Sequence, residues 1–359
     1  MGDLVNPDFG IFKNKRILIT GDTGFKGSWL SYWLHLLGAE IFGYAEPPER
    51  EYDHFKLLGL EHCITHIDGD IRDYSQLKEF MASAQPEFVF HLAAQPIVRK
   101  SFQDPRDTMD TNIGGTVNIL EAVRETSSVR VLVSVTSDKC YQNKEWCWGY
   151  RENDDLGGKD PYSASKAAAE LVISAYQDSF YSRRARFGAA SVRAGNVIGG
   201  GDWSDDRIVP DCIRALQKRQ PIILRNPKST RPWQHVLEPL SGYLHLAACL
   251  YRDPSGFPGS YNFGPDSREI HTVEDVARAL IDTWGEGSIT ISPRDGDPPE
   301  AGLLHLNCDK AHQMLGWYPR WDFNKTIEKT AQWYKCVKEG AEVSSVTRQQ
   351  IIEYMESSQ

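Results

Sequence analysis

The chain has 359 residues, 40% of them hydrophobic, which is enough for one large α/β domain with a subdomain or for two domains. With 40 Lys and Arg against 49 Asp and Glu, its net charge of −9 argues against a nucleic-acid partner, because phosphate binding needs a basic surface. The seven Cys include no C-x-x-C pair, which favours reduced thiols and no metal site. No secretory signal and no apolar run of membrane-spanning length is visible, so we expect a cytoplasmic protein without a membrane partner.

Strand-like and helix-like patterns alternate along residues 15–199. The segment 15–45 predicts a strand, a glycine turn, a helix ending at Gly38 and a second strand. Further strands are predicted at 87–95, 129–137 and 188–199, and helices at 110–125 and 160–177, the last with Asp160 as N-cap and Pro161 in the first turn. This alternation predicts an α/β fold, a Rossmann-type doubly wound parallel sheet.

The character of the chain changes after residue 199, where polar loops and shorter elements follow. We predict a larger sheet domain of residues 1–198 that also takes back strand segments near 235–264, including SYNFG (260–264). Residues 199–234 and 265–345 form the predicted smaller subdomain. The polar tail after residue 343 is expected to be a surface helix or partly disordered.

A glycine loop follows the first predicted strand. Gly21, Gly24 and Gly27 in TGDTGFKG have G-x-x-G-x-x-G spacing, and the loop opens a helix. Glycines let the backbone approach a pyrophosphate, and a helix N-terminus offers free N–H groups and a positive dipole. The loop therefore predicts dinucleotide binding. Its first spacing is one residue longer than in the standard fingerprint, and an ordinary βα turn is the alternative.

Acidic residues near the next strands bear on the cofactor. Asp70 in DGDIRD follows a short strand, where its carboxylate can accept a hydrogen bond from an adenine amino group, with a solvated turn as the alternative. Glu46 stands near the end of the second strand, but no Asp is clearly placed there to hold a ribose 2′-hydroxyl. The residues therefore leave the choice between NAD and NADP open.

Tyr162 and Lys166 in YSASK lie four residues apart, on one face of a predicted helix. A nearby ammonium stabilises a phenolate, so we expect Lys166 to lower the pKa of Tyr162 and make it a base near neutral pH. The preceding strand ends at Ser137, whose hydroxyl can share the substrate's proton, and Asp138 and Lys139 follow directly. An acid and a base at a strand end indicate proton transfers there, while a polar turn is the alternative.

These motifs resemble those of the extended short-chain dehydrogenases/reductases. The resemblance rests on the glycine loop, HLAAQ (91–95), Asn112 in DTNIGGT and the Tyr162/Lys166 pair, and it covers nearly the whole chain. It implies bound NAD, with Ser137, Tyr162 and Lys166 serving hydride transfer. It also implies cofactor contacts at Gly21, Thr23, Gly24, Phe25, Gly27, Asp70, Ile71, Ala93, Ala94, Gln95, Asn112, Tyr162 and Lys166.

Within this superfamily, the chain resembles the nucleotide-sugar 4,6-dehydratases. These carry Thr-Asp-Glu at the strand end, where the Asp acts as acid and the Glu as base in removing water; Ser137-Asp138-Lys139 keeps the acid and replaces the Glu by Lys. That departure is similar to the branch acting on CDP-glucose, as are GDTGFKGSWL and TRPWQHVLEPL. The resemblance implies oxidation at C4 of the sugar, loss of water with Asp138 as acid and Lys139 as base, and return of the hydride to C6.

A diphosphate substrate needs cations. Arg207, Arg231 and Arg294 lie in the C-terminal loops where the family binds its nucleotide, and Asn196 follows a strand where it can bond the diphosphate or the sugar. Arg suits bidentate contact with phosphate oxygens, and a surface charge or loop ion pair is the alternative for each.

Two rival functions share this fold. A nucleotide-sugar 4-epimerase needs no acid–base pair for water loss, so Asp138 and Lys139 argue against it; a redox-sensing binding protein usually lacks the Tyr or the Lys. A 4,6-dehydratase acting on dTDP-glucose, UDP-glucose or GDP-mannose stays open, because no code for the nucleotide base is readable. The resemblance also implies a homodimer or homotetramer packed through helices 110–125 and 160–177, and a deoxysugar route to a surface polysaccharide such as lipopolysaccharide O-antigen.

Overall fold

The computed structural model describes residues 9–266, 270–292 and 303–357. The strands are β1 (Arg16–Thr20), β2 (Glu40–Ala45), β3 (Thr65–Asp68), β4 (Phe88–His91), β5 (Val131–Val135), β6 (Gly188–Ala194), β7 (Val197–Ile198), β8 (Ile222–Leu224), β9 (Thr230–Arg231), β10 (Gln234–His235), β11 (Gly259–Phe263), β12 (His271–Thr272) and β13 (Ile289–Ile291). The helices are α1 (Phe25–Leu36), α2 (His54–Leu57), α3 (Tyr74–Ala84), α4 (Val98–Gln103), α5 (Pro105–Met109), α6 (Gly115–Glu125), α7 (Pro161–Ser179), α8 (Ile208–Gln217), α9 (Leu237–Arg252), α10 (Val273–Trp284), α11 (Phe323–Lys338) and α12 (Val343–Glu356).

A seven-stranded sheet in the order β3-β2-β1-β4-β5-β6-β11 organises the molecule. Every neighbouring pair in it is parallel, which confirms the predicted Rossmann-type fold. The central strands are buried on both faces, and this explains their continuous apolar sequences. Because the strands are parallel, their carboxyl ends meet at one edge, and the loops after β1, β4, β5 and β6 share that edge.

The strand predicted at 87–95 stops at His91, and two further predicted strands also end earlier than expected. The strand predicted at 129–137 stops at Val135, because Ser137 caps a 3-10 turn (Asp138–Cys140) by accepting a hydrogen bond from the backbone N–H of Lys139. The strand predicted at 188–199 breaks at Gly195 and Asn196, and its last part becomes β7, which pairs with β10 outside the main sheet. Both departures release backbone at the carboxyl edge of the sheet.

Helix predictions held with shifted boundaries. The helix predicted over 110–125 begins earlier, as α5, and continues through a π-helical turn (Asp110–Gly114) into α6. The helix α7 begins at Pro161 behind Asp160, whose carboxylate accepts the N–H of Ser163, as the sequence predicts. The tail forms α12, and it is not only a surface helix, because Ile351 and Tyr354 are buried.

Three small strand pairs lie outside the main sheet: β7 with β10, β9 with β12 and β8 with β13. Strand β11 returns to the edge of the main sheet beside β6, where the sequence places SYNFG. The exact division between the sheet domain and the smaller subdomain stays a prediction. Within the described residues, no helix combines the length and the apolar character needed to cross a membrane.

Candidate active site

The glycine loop lies between β1 and α1, against the loop that follows β4. Gly21 has φ +77°, and a Cβ there would lie 2.7 Å from the backbone N of Ala93. A Cβ on Gly27 would lie 2.0 Å from the carbonyl oxygen of Gly21. Side chains at these positions would therefore push the two loops apart, and glycine is required by close packing as well as by backbone conformation.

The start of α1 fits a pyrophosphate. Its N-cap is Gly24, which supplies no side chain to bond the first N–H groups of the helix. Such N–H groups and the helix dipole favour an anion. The Thr23 hydroxyl donates to the carbonyl oxygen of Glu46 at 2.9 Å, which fixes the loop against the end of β2. Phe25 and Ala93 are half-buried beside this loop.

Asp70 is already engaged by a cation. Its carboxylate accepts bonds from the Arg72 guanidinium, with Nε at 2.9 Å from Oδ1 and 2.8 Å from Oδ2. The hydrogen bond with Arg72 lowers the pKa of Asp70. Arg72 also pairs with Asp107 at 2.7 Å. A contact from Asp70 to an adenine stays a prediction, and the structure shows a carboxylate that Arg72 holds in place. Ile71 beside it is buried and packs on Gly115.

Gln95 and Asn112 brace the loop after β4 from behind. The Asn112 amide accepts the N–H of Gln95 at 2.8 Å and donates to the Ser165 hydroxyl at 2.9 Å. The Gln95 side chain donates to the Thr108 hydroxyl at 2.8 Å and accepts the N–H of Ile97. Both amides therefore join this loop to α5 and α7, and their contact with a cofactor stays a prediction. Ala94, between them and the glycine loop, is half-buried.

The structure brings Ser137, Asp138, Tyr162 and Lys166 together, all of them buried. The Ser137 hydroxyl donates to Oδ1 of Asp138 at 3.0 Å and also bonds the Tyr162 phenol. Oδ2 of Asp138 is buried and has no hydrogen-bond partner within the described part of the chain. The side chain of Lys139 is half-buried beside this cluster. The strand end thus carries an acid joined through a hydroxyl to a phenol.

Burial dominates the titration of the Tyr/Lys pair. It raises the pKa of Tyr162 to about 12, against the effects of the Ser137 hydrogen bond and the Arg207 charge. It also lowers the pKa of Lys166 to about 8, against the charge of Glu170. The expectation that Lys166 lowers the pKa of Tyr162 is wrong in this structure. The physical reason is that desolvation disfavours both charged forms, and Ser137 and Arg207 supply the opposing stabilisation.

A network of buried, paired charges lies directly behind the cluster. Glu170, one turn after Lys166 on α7, forms a buried ion pair with Arg193 at 2.7 Å and also accepts hydrogen bonds from Thr136 and Ser191. Arg193 donates in addition to the Tyr141 hydroxyl at 2.7 Å. This network ties β5, β6, α7 and the loop after Asp138 together, so it fixes where the acid and the lysine stand. The sequence analysis did not single it out.

Three of the four predicted substrate residues, Arg231, Arg207 and Asn196, lie in the described part of the chain. Arg231 is buried and donates to the carbonyl oxygen of Thr230 at 2.7 Å, in a cleft also lined by Pro232, Asp266 and Ile270. Arg207 pairs with Asp202 at 3.1 Å. Asn196 is half-buried in the break after β6. Arg294 lies outside the described residues, and its role stays a prediction.

Two residues that the sequence analysis missed stand at this site. Gly195 leaves room for the acid, since a Cβ there would lie 3.1 Å from Oδ2 of Asp138 and 2.5 Å from Pro232. Lys26, in the first turn of α1, interacts electrostatically with Asp138, Arg207 and Lys166. A lysine inside a glycine loop was the available signal for Lys26. Within the described residues, no group of His, Cys, Asp and Glu has the arrangement of a metal site.

Comparison with known proteins agrees with this geometry. A family model described as GDP-mannose 4,6 dehydratase matches residues 18–257.

The chain belongs to this family of nucleotide-sugar dehydratases.

A curated relative from the family is 45% identical over 352 residues, covering 97% of this chain and 98% of its own: the CDP-glucose 4,6-dehydratase of Salmonella typhimurium. The dTDP-glucose 4,6-dehydratase of Streptomyces antibioticus is 29% identical, covering 89% of this chain and 92% of its own. Among solved structures, the dTDP-glucose 4,6-dehydratase of Bacillus anthracis in complex with NAD has a TM-score of 0.74 at 21% identity, covering 90% of this chain and 97% of that one. The UDP-glucose 4-epimerase of Thermotoga maritima reaches 0.78 at 20% identity, covering 90% and 99%. These two structures show the shared fold.

Proposed function

We propose that this chain is a CDP-glucose 4,6-dehydratase that converts CDP-glucose to CDP-4-keto-6-deoxyglucose and water. The observation that carries the proposal is the hydrogen-bonded series of Tyr162, Ser137 and Asp138 at the end of β5. The similarity to a CDP-glucose 4,6-dehydratase along nearly the whole chain supports the substrate. A 4-epimerase has no use for an acid beside the phenol, because no hydroxyl leaves in its reaction.

The proton balance of the reaction matches this series. Oxidation at C4 releases the proton of the 4-hydroxyl to Tyr162 in its phenolate form, which the Ser137 hydrogen bond and the Arg207 charge favour against the effect of burial on its pKa. Departure of the 6-hydroxyl as water consumes a proton from Asp138. The product keeps a ketone at C4, so each turnover leaves one proton on Tyr162 and one too few on Asp138. Ser137 lies between them, and its hydroxyl passes the proton from the phenol to the carboxylate, which restores both groups for the next turnover.

The remaining steps need a cofactor and a base. NAD, when bound, supplies a hydride acceptor for C4, a hydride donor for C6 and, in its oxidised form, a positive charge. Lys139 takes the C5 proton, which the neighbouring ketone acidifies, and returns it to C5 when the hydride reaches C6. The glycine loop and the N-terminus of α1 would hold the pyrophosphate of NAD, and no external reductant would be consumed.

In this proposal the nucleotide binds in the cleft that Arg231 lines. Arg231 supplies a buried cation near the diphosphate, and Arg207, Arg294 and Asn196 complete the polar lining in this proposal. We also propose a homodimer or homotetramer; Leu171 and Phe180, exposed apolar residues on or next to α7, support packing through this helix. The keto-deoxy sugar would serve a deoxysugar route to a surface polysaccharide, lipopolysaccharide O-antigen being the proposed end.

The test is incubation of the purified protein with CDP-, dTDP- and UDP-glucose, without added reductant, followed by mass spectrometry and NMR. Loss of one water from CDP-glucose, with much slower loss from the other two, is the expected result. A 4-epimer of unchanged mass would replace the proposal by the epimerase reading. Equal water loss from dTDP-glucose would keep the chemistry and overturn the nucleotide.

A further inference from the structure

Lys26 extends from the cofactor loop toward the acid. It is the second residue of α1, and its side chain is half-buried. Its charge interacts with Asp138, Arg207 and Lys166, which belong to three other segments of the chain. A residue read from sequence as part of the cofactor loop therefore faces the catalytic cluster.

Packing of α1 explains this placement. The indole N–H of Trp29 donates to the carbonyl oxygen of Gly200 at 2.9 Å. Phe25 meets the same loop, since a Cβ on Gly199 would lie 3.3 Å from its ring. Both contacts hold the first two turns of α1 at the boundary between the glycine loop and the loop that continues to Arg207. The backbone at Lys26 is thus fixed.

Lys26 and the two cations that act on it, Lys166 and Arg207, differ in their partners. Lys166 interacts with Glu170, and Arg207 pairs with Asp202 at 3.1 Å. The Lys26 ammonium forms neither a hydrogen bond nor an ion pair with any described residue, although it is attracted by Asp138. Asp138 has a matching deficit, because its Oδ2 is buried without a partner among the same residues.

The missing partner of Asp138 matters most at one step of the reaction. When Asp138 gives its proton to the leaving hydroxyl, a carboxylate forms in a buried site. A buried charge is strongly destabilised unless an opposite charge compensates it. We propose that Lys26 is a positioning residue for the acid step, whose ammonium stabilises the Asp138 carboxylate as water leaves. The proposal rests on the dehydratase function proposed above.

The charge of Lys26 titrates in the working range. Burial, followed by the charge of Arg207, lowers the pKa of Lys26 to about 8, while Asp138 acts in the opposite direction and Lys166 in the same one. The ammonium is therefore present below this pH and is lost above it. Water loss should slow as pH rises through about 8, independently of the pH dependence of C4 oxidation.

Lys26→Met and Lys26→Arg test the proposal in single turnovers with CDP-glucose. Absorbance of the reduced nicotinamide follows C4 oxidation, and quenched mass spectrometry follows water loss. Lys26→Met should slow water loss about a hundredfold while oxidation keeps its rate, so that reduced cofactor accumulates. Lys26→Arg should retain most of the water loss and shift its alkaline decline upward. Lys56→Met, a lysine of α2 paired with Glu61 at 3.8 Å, is the matched control.

Several results would overturn the proposal. Loss of bound NAD from Lys26→Met, measured as cofactor released on denaturation, would make Lys26 a cofactor ligand only. Equal slowing of oxidation and water loss, or equal loss in Lys26→Arg and Lys26→Met, would indicate a structural role. If the wild-type protein removes no water from any of the three nucleotide sugars, the proposed dehydratase function itself is wrong. This outcome differs from a failure of the Lys26 proposal, because it is seen without any variant.

Discussion

Two clusters of buried charges lie one helical turn apart on α7, and they are built in opposite ways. Behind the site, Glu170 and Arg193 satisfy each other and several neighbours, with distances of 2.7 to 3.0 Å to Ser191, Tyr141 and Ser260. In the site, one buried oxygen of Asp138 has no partner among the residues that the structure describes, and burial lowers the pKa of both Lys26 and Lys166 to about 8.

This difference in pairing suits the two clusters to different tasks: one holds the structure in place and the other transfers protons. A buried ion pair with several further hydrogen bonds holds its members in one arrangement, because every alternative leaves a buried charge unpaired. Groups that must gain or lose a proton during a reaction need the opposite, namely environments in which neither form is strongly fixed. The paired cluster therefore positions the reactive one, and variants in each cluster should fail in different ways.

The largest effect is expected in the reactive cluster. Tyr162→Phe removes the acceptor of the 4-hydroxyl proton and should lower the rate of water loss by at least about a thousandfold. The phenol is not part of the paired network, so the midpoint of thermal unfolding should stay near that of the wild type. Initial rates and thermal unfolding measured on one preparation decide this, and a variant that loses activity only because it unfolds would refute the separation.

The paired cluster should fail through stability. Arg193→Met leaves Glu170 as an uncompensated buried charge, which should cost about 3–5 kcal/mol of the free energy of unfolding. The double variant Glu170→Met/Arg193→Met removes both charges and should regain much of that loss. Denaturant unfolding of the two variants provides the comparison. If the double variant is no more stable than the single one, the ion pair does not account for the loss.

Glu238 is a carboxyl whose pKa is raised by burial although it accepts several hydrogen bonds. It accepts bonds from the backbone N–H groups of Arg320 and Trp321 and from the Tyr354 hydroxyl. Burial nevertheless raises its pKa from 4.5 to about 7. Between these values the folded state binds more protons than the unfolded state, so stability falls as pH rises through this window and levels off above it.

Glu238→Gln removes this titration. As pH rises from 4.5 to about 7, the free energy of unfolding of the wild type should fall by on the order of 3 kcal/mol more than that of the variant. Denaturant unfolding of both proteins across this pH range measures the difference in their free energies of unfolding. Other titrating groups are common to both proteins, so their contributions cancel. Parallel stability curves would show that Glu238 keeps its ordinary pKa in the folded state.

Gly195→Ala is expected to have the smallest effect. The added Cβ would lie 2.5 Å from Cγ of Pro232 and 3.1 Å from Oδ2 of Asp138, so the proline ring must move and the acid must shift by a few tenths of an ångström. Water loss should fall about tenfold, in line with the sensitivity of catalysis to small displacements. The ratio of C4 oxidation to water loss locates the defect, because only the second step uses the acid. A fall in both rates alike would point to a distorted strand end.

The two clusters also differ in how far they can be predicted from the sequence. The sheet, the glycine loop and Ser137, Asp138, Tyr162 and Lys166 were predictable, since periodicity and short motifs encode them. The Glu170–Arg193 pair was not, because its members come from α7 and β6 and meet only through the crossover. Lys26 was overlooked because the glycines explain the loop by themselves. The lowered pKa expected for Tyr162 was wrong, because spacing conveys proximity but not burial.

Deuterium placed at C4 of CDP-glucose shows directly whether the hydride moves from C4 to C6 of one sugar. The account predicts a product that has lost one water and carries the deuterium at C6, with no exchange of that label into solvent, because the hydride leaves C4 and returns to C6 of the same sugar. Deuterium that returns to C4, in a sugar of unchanged mass and inverted configuration, would contradict the account and leave the acid at Asp138 without a reaction to serve.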